Sequence, residues 1–169
     1  MTGEGAPWVF LRTPFDERNG TFSPDGRWVA YQSNESGRLE IYVRPFVGPA
    51  AAGALRQRSG AAEGEAAGGQ WQVSTAGGIH PRWRYDGKEL YYLNPAGAMM
   101  AAPIALTGAT VAVGAPVVLF PTRIAGGGTD VLAGRQYDVT RDGRFLINTV
   151  VLDEAAAPIT LIQNWRGNK

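Results

Sequence analysis

Hydrophobic and polar positions alternate along most of this chain with the two-residue period of strands. Leu39, Ile41 and Val43 fall on one face of a run whose other face carries Glu40, Tyr42 and Arg44. Similar β-prone runs read Trp28-Val29-Ala30-Tyr31, Glu89-Leu90-Tyr91-Tyr92 and Phe145-Leu146-Ile147-Asn148, rich in the aromatic and β-branched residues that suit a pleated surface. Further strands are predicted at Trp71 to Ser74, Met99 to Ile104, Val117 to Phe120 and Ile159 to Ile162. No stretch has the 3.6-residue period of a long amphipathic helix. The expected class is therefore all-β.

The turns between these runs repeat. Phe22-Ser23-Pro24-Asp25-Gly26-Arg27, Trp83-Arg84-Tyr85-Asp86-Gly87-Lys88 and Val139-Thr140-Arg141-Asp142-Gly143-Arg144 each place Asp-Gly before a strand. Asp-Gly between β-prone runs is a hairpin signal, because Gly accepts the positive φ that closes the turn. Asp25, Gly26, Asp86, Gly87, Asp142 and Gly143 are accordingly read as structural turn residues. A recurring hairpin implies an array of one supersecondary unit. Each unit reads as four short antiparallel strands. Successive Asp anchors lie 61 and 56 residues apart, more than the roughly 40–45 residues of a propeller blade. The excess sits in an Ala/Gly-rich insertion over 48–70 and a Gly-rich one over 125–134, both expected to be loops. A short Ala-rich helix over 50–58 is the one helical option. The reading is a single domain over 1–169, a partial β-propeller of about three four-stranded antiparallel blades.

Trp8 to Thr13 reads as a fourth strand without a blade of its own, while the last unit has three strands. Three blades are fewer than the roughly 4–8 that close a ring. Open sheet edges then pair with another chain. The full ring comes either from a longer protein or from a homodimer closing six blades, each copy lending residues 8–13 to its partner's last blade.

Composition narrows the chemistry. The formal net charge is +1, with 16 Lys and Arg against 15 Asp and Glu. That balance exerts no pull toward nucleic acid or an anionic membrane. The absence of cysteine excludes disulfides and thiolate catalysis. No apolar run reaches the roughly 18 residues of a membrane span, and the first ten residues lack the pattern of a secretory signal. As written the chain reads as cytoplasmic, or as extracytoplasmic within a longer membrane-anchored protein.

The repeat residues resemble a known family. Phe22 to Arg27 with Tyr31, and His80-Pro81-Arg82-Trp83 leading to Asp86 through Tyr92, are similar to TolB-type, WD-repeat-like β-propeller repeats. Leu11 to Glu17, Ile41 to Phe46, Arg135 to Val139 and Asn164-Trp165 resemble the C-terminal propellers of bacterial serine/threonine protein kinases. The resemblance implies a six- to seven-bladed propeller acting as a sensor or scaffold. It brings no kinase activity, because the chain has no Val-Ala-Ile-Lys, His-Arg-Asp or Asp-Phe-Gly motif. The alternatives are the accessory propeller of a prolyl-oligopeptidase-type hydrolase and a TolB-like periplasmic scaffold.

Motifs for other chemistries are missing from the sequence. There is no Gly-x-Ser-x-Gly elbow, no Walker loop and no Cys/His zinc spacing. No metal, cofactor or catalytic residue is expected. His80, the only histidine, reads as structural beside Pro81. The Trp and Tyr residues fall at strand spacing and read as packing between blades. One binding candidate remains: Arg18, His80, Arg82 and Arg135 stand near the start of the inner strands and are read as equivalent positions around one mouth of a central channel. Convergent Arg suits a carboxylate or phosphate on a protein or small-ligand partner.

Overall fold

In the computed structural model, residues 7–48, 57, 68–125, 127–128 and 134–150 are described. They form eleven strands. The first sheet holds β1 (Arg18–Phe22), β2 (Trp28–Ser33), β3 (Glu40–Pro45) and β4 (Trp71–Gln72), in that order. The second holds β5 (Ile79–Trp83), β6 (Glu89–Leu93), β7 (Ala98–Thr107), β8 (Thr110–Val113) and β9 (Val117–Pro121). A third, two-stranded sheet pairs β10 (Tyr137–Val139) with β11 (Phe145–Ile147). All pairings are antiparallel. Helical structure among the described residues is confined to Gln57, so the chain is all-β.

Sheet two is built around the long strand β7. Its first part lies between β6 and β9, and its last four residues instead pair with β8. The β7–β8 hairpin turns on Gly108-Ala109, with Gly108 at φ 59°. This hairpin is absent from the sequence-based strand set, although Thr-Gly-Ala-Thr between alternating apolar residues is a readable two-residue turn signal.

The sheets stack in chain order. Trp28, Ala30, Ile41, Val43 and Val73 of the first sheet meet Trp83, Leu90, Tyr92, Ala102 and Ile104 of the second in one core. The opposite face of the second sheet presents Ile79, Tyr91, Leu93, Met99 and Ala101 to Tyr137, Val139, Phe145 and Ile147 of the third. Both faces of β6 are thus buried, which explains its nearly unbroken apolar sequence. The same holds for β2, whose other face carries Val29 and Tyr31. The β3 face expected to hold Glu40, Tyr42 and Arg44 does not face solvent, since Glu40 and Tyr42 are buried as well.

Residues 8–13 form no strand. They run across the front face of the first sheet, where Phe10 and Leu11 pack on Val29, Tyr31 and Tyr42. Trp8, Phe10 and Phe22 gather around Phe46 with ring centroids 4.8–5.9 Å from it. The expected strand over 159–162, the closing Trp165 and most of the 50–58 helix lie outside the described residues, as does most of the 48–70 insertion.

Candidate functional site

The three Asp-Gly turns share one geometry. Gly26, Gly87 and Gly143 have φ of 69°, 72° and 82°. Each donates its N–H to the carbonyl three residues earlier, on Ser23, Arg84 and Thr140, at 2.8–3.0 Å. The Asp side chains face their own turns. Asp25 accepts from Ser23 Oγ at 2.6 Å, from the Arg27 backbone at 3.1 Å and from Arg27 Nε at 2.7 Å. Asp142 likewise accepts from Thr140 Oγ1 and pairs with Arg144 Nε, while the Arg144 backbone N–H donates to Thr140 Oγ1 instead. In the second turn Arg84 stands where Ser23 stands in the first, and it supplies the cation to Asp86 from the other side at 3.5 Å. These carboxylates are thus occupied by local bonds. Among the described residues no group of His, Asp and Glu is placed to hold a metal ion.

The strands before the turns carry the candidate site. Counting back from the three Asp anchors places Arg18, Ile79 and Arg135 in register, then Asn19, His80 and Gln136, then Thr21, Arg82 and Asp138. The expectation that Arg18, His80, Arg82 and Arg135 are equivalent is therefore corrected. Only Arg18 and Arg135 correspond, while His80 follows one step later and Arg82 three. Arg18 and Arg135 also diverge in partners: Arg18 pairs with Asp16 at 2.5 Å, and Arg135 with Asp138 at 3.6 Å.

A β-bulge explains the odd side-chain directions on β1 and β5. Pairing shifts between Arg18 and Thr21 in one strand, and between Ile79 and Arg82 in the other. The extra residue brings Asn19 and His80 to the same left-handed φ of 55°. Asn and His are among the few non-glycine residues that tolerate this region. The bulges aim the two side chains at each other, with Asn19 Nδ2 3.2 Å from His80 Nδ1.

Hydrogen-bond roles follow from one fixed donor. The His80 backbone N–H donates to Gln32 Oε1 at 2.9 Å, so that atom is the amide oxygen. Asn19 Nδ2 also donates to Gln32 Oε1 at 2.9 Å. The same Asn19 NH₂ then donates to His80 Nδ1, which must be an unprotonated acceptor. His80 is thereby held as the Nε2–H tautomer. Its carbonyl accepts from Tyr137 Oη at 2.6 Å. Burial raises the Tyr137 hydroxyl well above its ordinary range, and it stays a donor. His80, buried and with Nδ1 engaged, ties the inner strand of the second sheet to the first and third sheets.

Arg82 is the buried cation of this region, with its side chain only 10% exposed. Nη1 donates to the Pro81 carbonyl at 2.8 Å. Nε lies 3.7 Å from Asp138 Oδ1, too far for a hydrogen bond, and has no other acceptor among the described residues. Burial lowers its proton affinity first, and the like charge of Arg135 lowers it further. Tyr137 and Asp138 offset only part of this. Among the described residues Arg82 and Arg135 thus share a single carboxylate.

A second polar cluster was not read from sequence. Glu40, 1% exposed, accepts from Arg38 Nε at 2.6 Å, Ser74 Oγ at 2.5 Å and Gly77 N–H at 2.9 and 3.0 Å. Ser74 Oγ in turn accepts from the Ile41 N–H at 2.8 Å. These bonds fasten the segment crossing from the first sheet to the second. No local signal marked it, because Glu40 alternates with Ile41 and Val43 as a solvent-facing residue would.

A groove of about 490 Å³ lies between the first two turns, with Asp25, Arg27, Asp86 and Lys88 at its rim and Ile104 to Leu106 on its floor. Its two carboxylates are paired locally, Asp25 with Arg27 and Asp86 with Arg84. No family model matches the sequence, and no curated protein sequence matches it.

Proposed function

We propose that this chain is a non-enzymatic recognition module built as part of a β-propeller, serving as the sensor or scaffold portion of a bacterial serine/threonine kinase. The observation that carries this reading is the sheet stack. Three sheets follow one another in chain order, with equivalent turns and, in the first two, equivalent bulges. Radial stacking of such sheets is how a propeller is assembled. The inner strands then line the axis, with Arg18, His80 and Arg135 toward the end of those strands away from the Asp-Gly turns and Arg82 further along, beside Asp138. The partner is a protein or small ligand bearing a negative group. The resemblance of the flanking segments to kinase-associated propellers supports the kinase assignment.

The stack also supports closure by a second copy. Trp83 is 8% exposed because it packs back on the preceding sheet, whereas its counterpart Phe22 is 57% exposed. Ala30 and Tyr91 pack forward on the following sheet at 0% and 6%, whereas Leu146, which takes the same place in the third sheet, is 47% exposed. Phe22 on the front of the first sheet and Leu146 on the back of the third are thus exposed, while residues 8–13 cover Val29, Tyr31 and Tyr42 on the rest of that front. In the proposed homodimer, these faces join front to back and complete six sheets.

Two experiments test the module. The genomic sequence preceding the reading frame is expected to encode a kinase domain in frame. An in-frame α/β-hydrolase domain on the following side would overturn the kinase assignment. In cells, cross-linking with mass spectrometry should recover a partner set with the native chain that the Arg82→Ala, Arg135→Ala double variant loses. An unchanged set removes this end of the strands as the binding face.

A further inference from the structure

We propose that Arg82 and Arg135 together bind a carboxylate group of an acidic ligand, seated between the two guanidinium groups beside Asp138. The assignment rests on the recognition-module reading above and names the chemistry of its ligand.

Charge and geometry lead to it. Two guanidinium groups face one carboxylate, at 3.7 Å from Arg82 Nε and 3.6 Å from Arg135 Nη1. Among the described residues the cluster therefore carries one uncompensated positive charge. Arg18 does not change that balance, since it is paired with Asp16. A buried guanidinium without a well-placed acceptor is costly. Arg82 has one short bond, to Pro81 O, and its Nε–H has no hydrogen-bond acceptor among the described residues. The mutual repulsion with Arg135 outweighs the attraction of Asp138 at Arg82.

One added negative charge neutralises the cluster with Asp138 in place. A carboxylate carries that charge and matches the planar fork of a guanidinium. A phosphate dianion overshoots neutrality and repels Asp138. Access is available from the solvent side, where Arg135 and Asp138 are 61% and 56% exposed. Arg82 then acts as the fixed, desolvated anchor and Arg135 as the mobile second arm. Packing holds Arg82 in place before the ligand arrives, which lowers the ordering cost of binding.

The test follows the Arg Nε–H resonances by ¹H–¹⁵N NMR during titration at constant ionic strength. The probes are sodium acetate, the peptide acetyl-Gly-Glu-Gly-amide, its Gln counterpart and sodium phosphate. Acetate and the Glu peptide should each shift the Arg82 Nε–H saturably in the millimolar range, and the Gln peptide should not. Asp138→Asn removes the competing carboxylate, so acetate should bind about threefold or more tightly. Arg135→Gln should weaken it by a similar factor. Both positions are exposed, and unchanged backbone amide spectra verify that the variants fold. A Glu peptide at least about tenfold tighter than acetate identifies an acidic protein segment as the source, and equal affinities a small carboxylic acid. Either result supports the proposal.

No saturable Arg82 shift by about 50 mM acetate or peptide would overturn it, at an affinity too weak for recognition. So would phosphate saturating at lower concentration than either, or weaker binding by Asp138→Asn. Loss of partners by the double arginine variant without any carboxylate binding would retain the module and remove the carboxylate.

Discussion

Protonating Asp25 removes the charge that strengthens its bonds from Ser23, the Arg27 backbone and the Arg27 guanidinium. The Ser23 hydrogen bond is the largest influence holding its carboxyl down to about 2, against an ordinary value of 3.8. The folded chain thus binds this proton less readily than the unfolded chain. The stabilisation is present above about pH 4 and is lost as pH falls toward about 2. Urea unfolding of the native chain and Asp25→Asn should differ at neutral pH and converge near pH 2. A difference that persists unchanged at pH 2 would contradict this. His80 offers a second residue-scale prediction. Long-range ¹H–¹⁵N spectra at neutral pH should show its Nδ1 unprotonated and its Nε2 protonated, because Asn19 already donates to Nδ1. A proton on Nδ1 would break the deduced chain of donors.

Among the elements, the third hairpin differs from its predecessors by one residue. Ser23 N–H bonds Trp28 O and Arg84 N–H bonds Glu89 O, but Thr140 N–H bonds Arg144 O. The strand after the third turn is therefore advanced by one place. A one-residue shift exchanges the two faces of a strand. Phe145 and Ile147 accordingly face the second sheet, and Leu146 faces away. Simple alignment of the three repeats on Asp-Gly places Phe145 with Trp28 and reverses these directions. Phe145 packs against Tyr91 and Phe120 at centroid distances of 5.0 and 5.3 Å. Phe145→Ala should cost about 2–3 kcal/mol, whereas Leu146→Ala should cost no more than about 0.5 kcal/mol. Denaturant melts of the two variants compare them directly, and a reversed order would refute the register. Glu40→Ala tests the strap between the first two sheets. It leaves Ser74, Gly77 and Arg38 without their shared acceptor and should cost about 3 kcal/mol. A change under about 1 kcal/mol would show that water replaces the carboxylate without penalty.

For the whole molecule, the prediction concerns mass. If the front of the first sheet and the back of the third join between copies, sedimentation at tens of micromolar should give a dimer, and Phe22→Glu should convert it to monomer. A native chain that sediments only as monomer would remove the homodimer and leave a longer reading frame to supply the neighbouring sheets. Phe22 is suited to this test because it packs only at the periphery of its own sheet, near Phe46, so a charge there spares the core between the sheets.

Much of the local architecture was legible along the chain. Strands alternate apolar and polar residues, and Asp-Gly specifies a tight turn through the conformational freedom of Gly26, Gly87 and Gly143. Both signals act over a few residues, so the all-β class and most strand positions follow from them. The interactions that define the candidate site act between residues far apart in sequence. No short-range pattern marks the bulges that turn Asn19 and His80 toward each other, the single residue that reverses β11, or the union of Arg82 with Asp138. Those features depend on how one sheet lies against the next, where buried polar groups must find partners across the stack. The turns and strands are therefore properties of the sequence itself. The distinction between a buried, undercompensated Arg82 and a solvent-paired Arg18 arises only when the sheets are packed and water is excluded from one of the two.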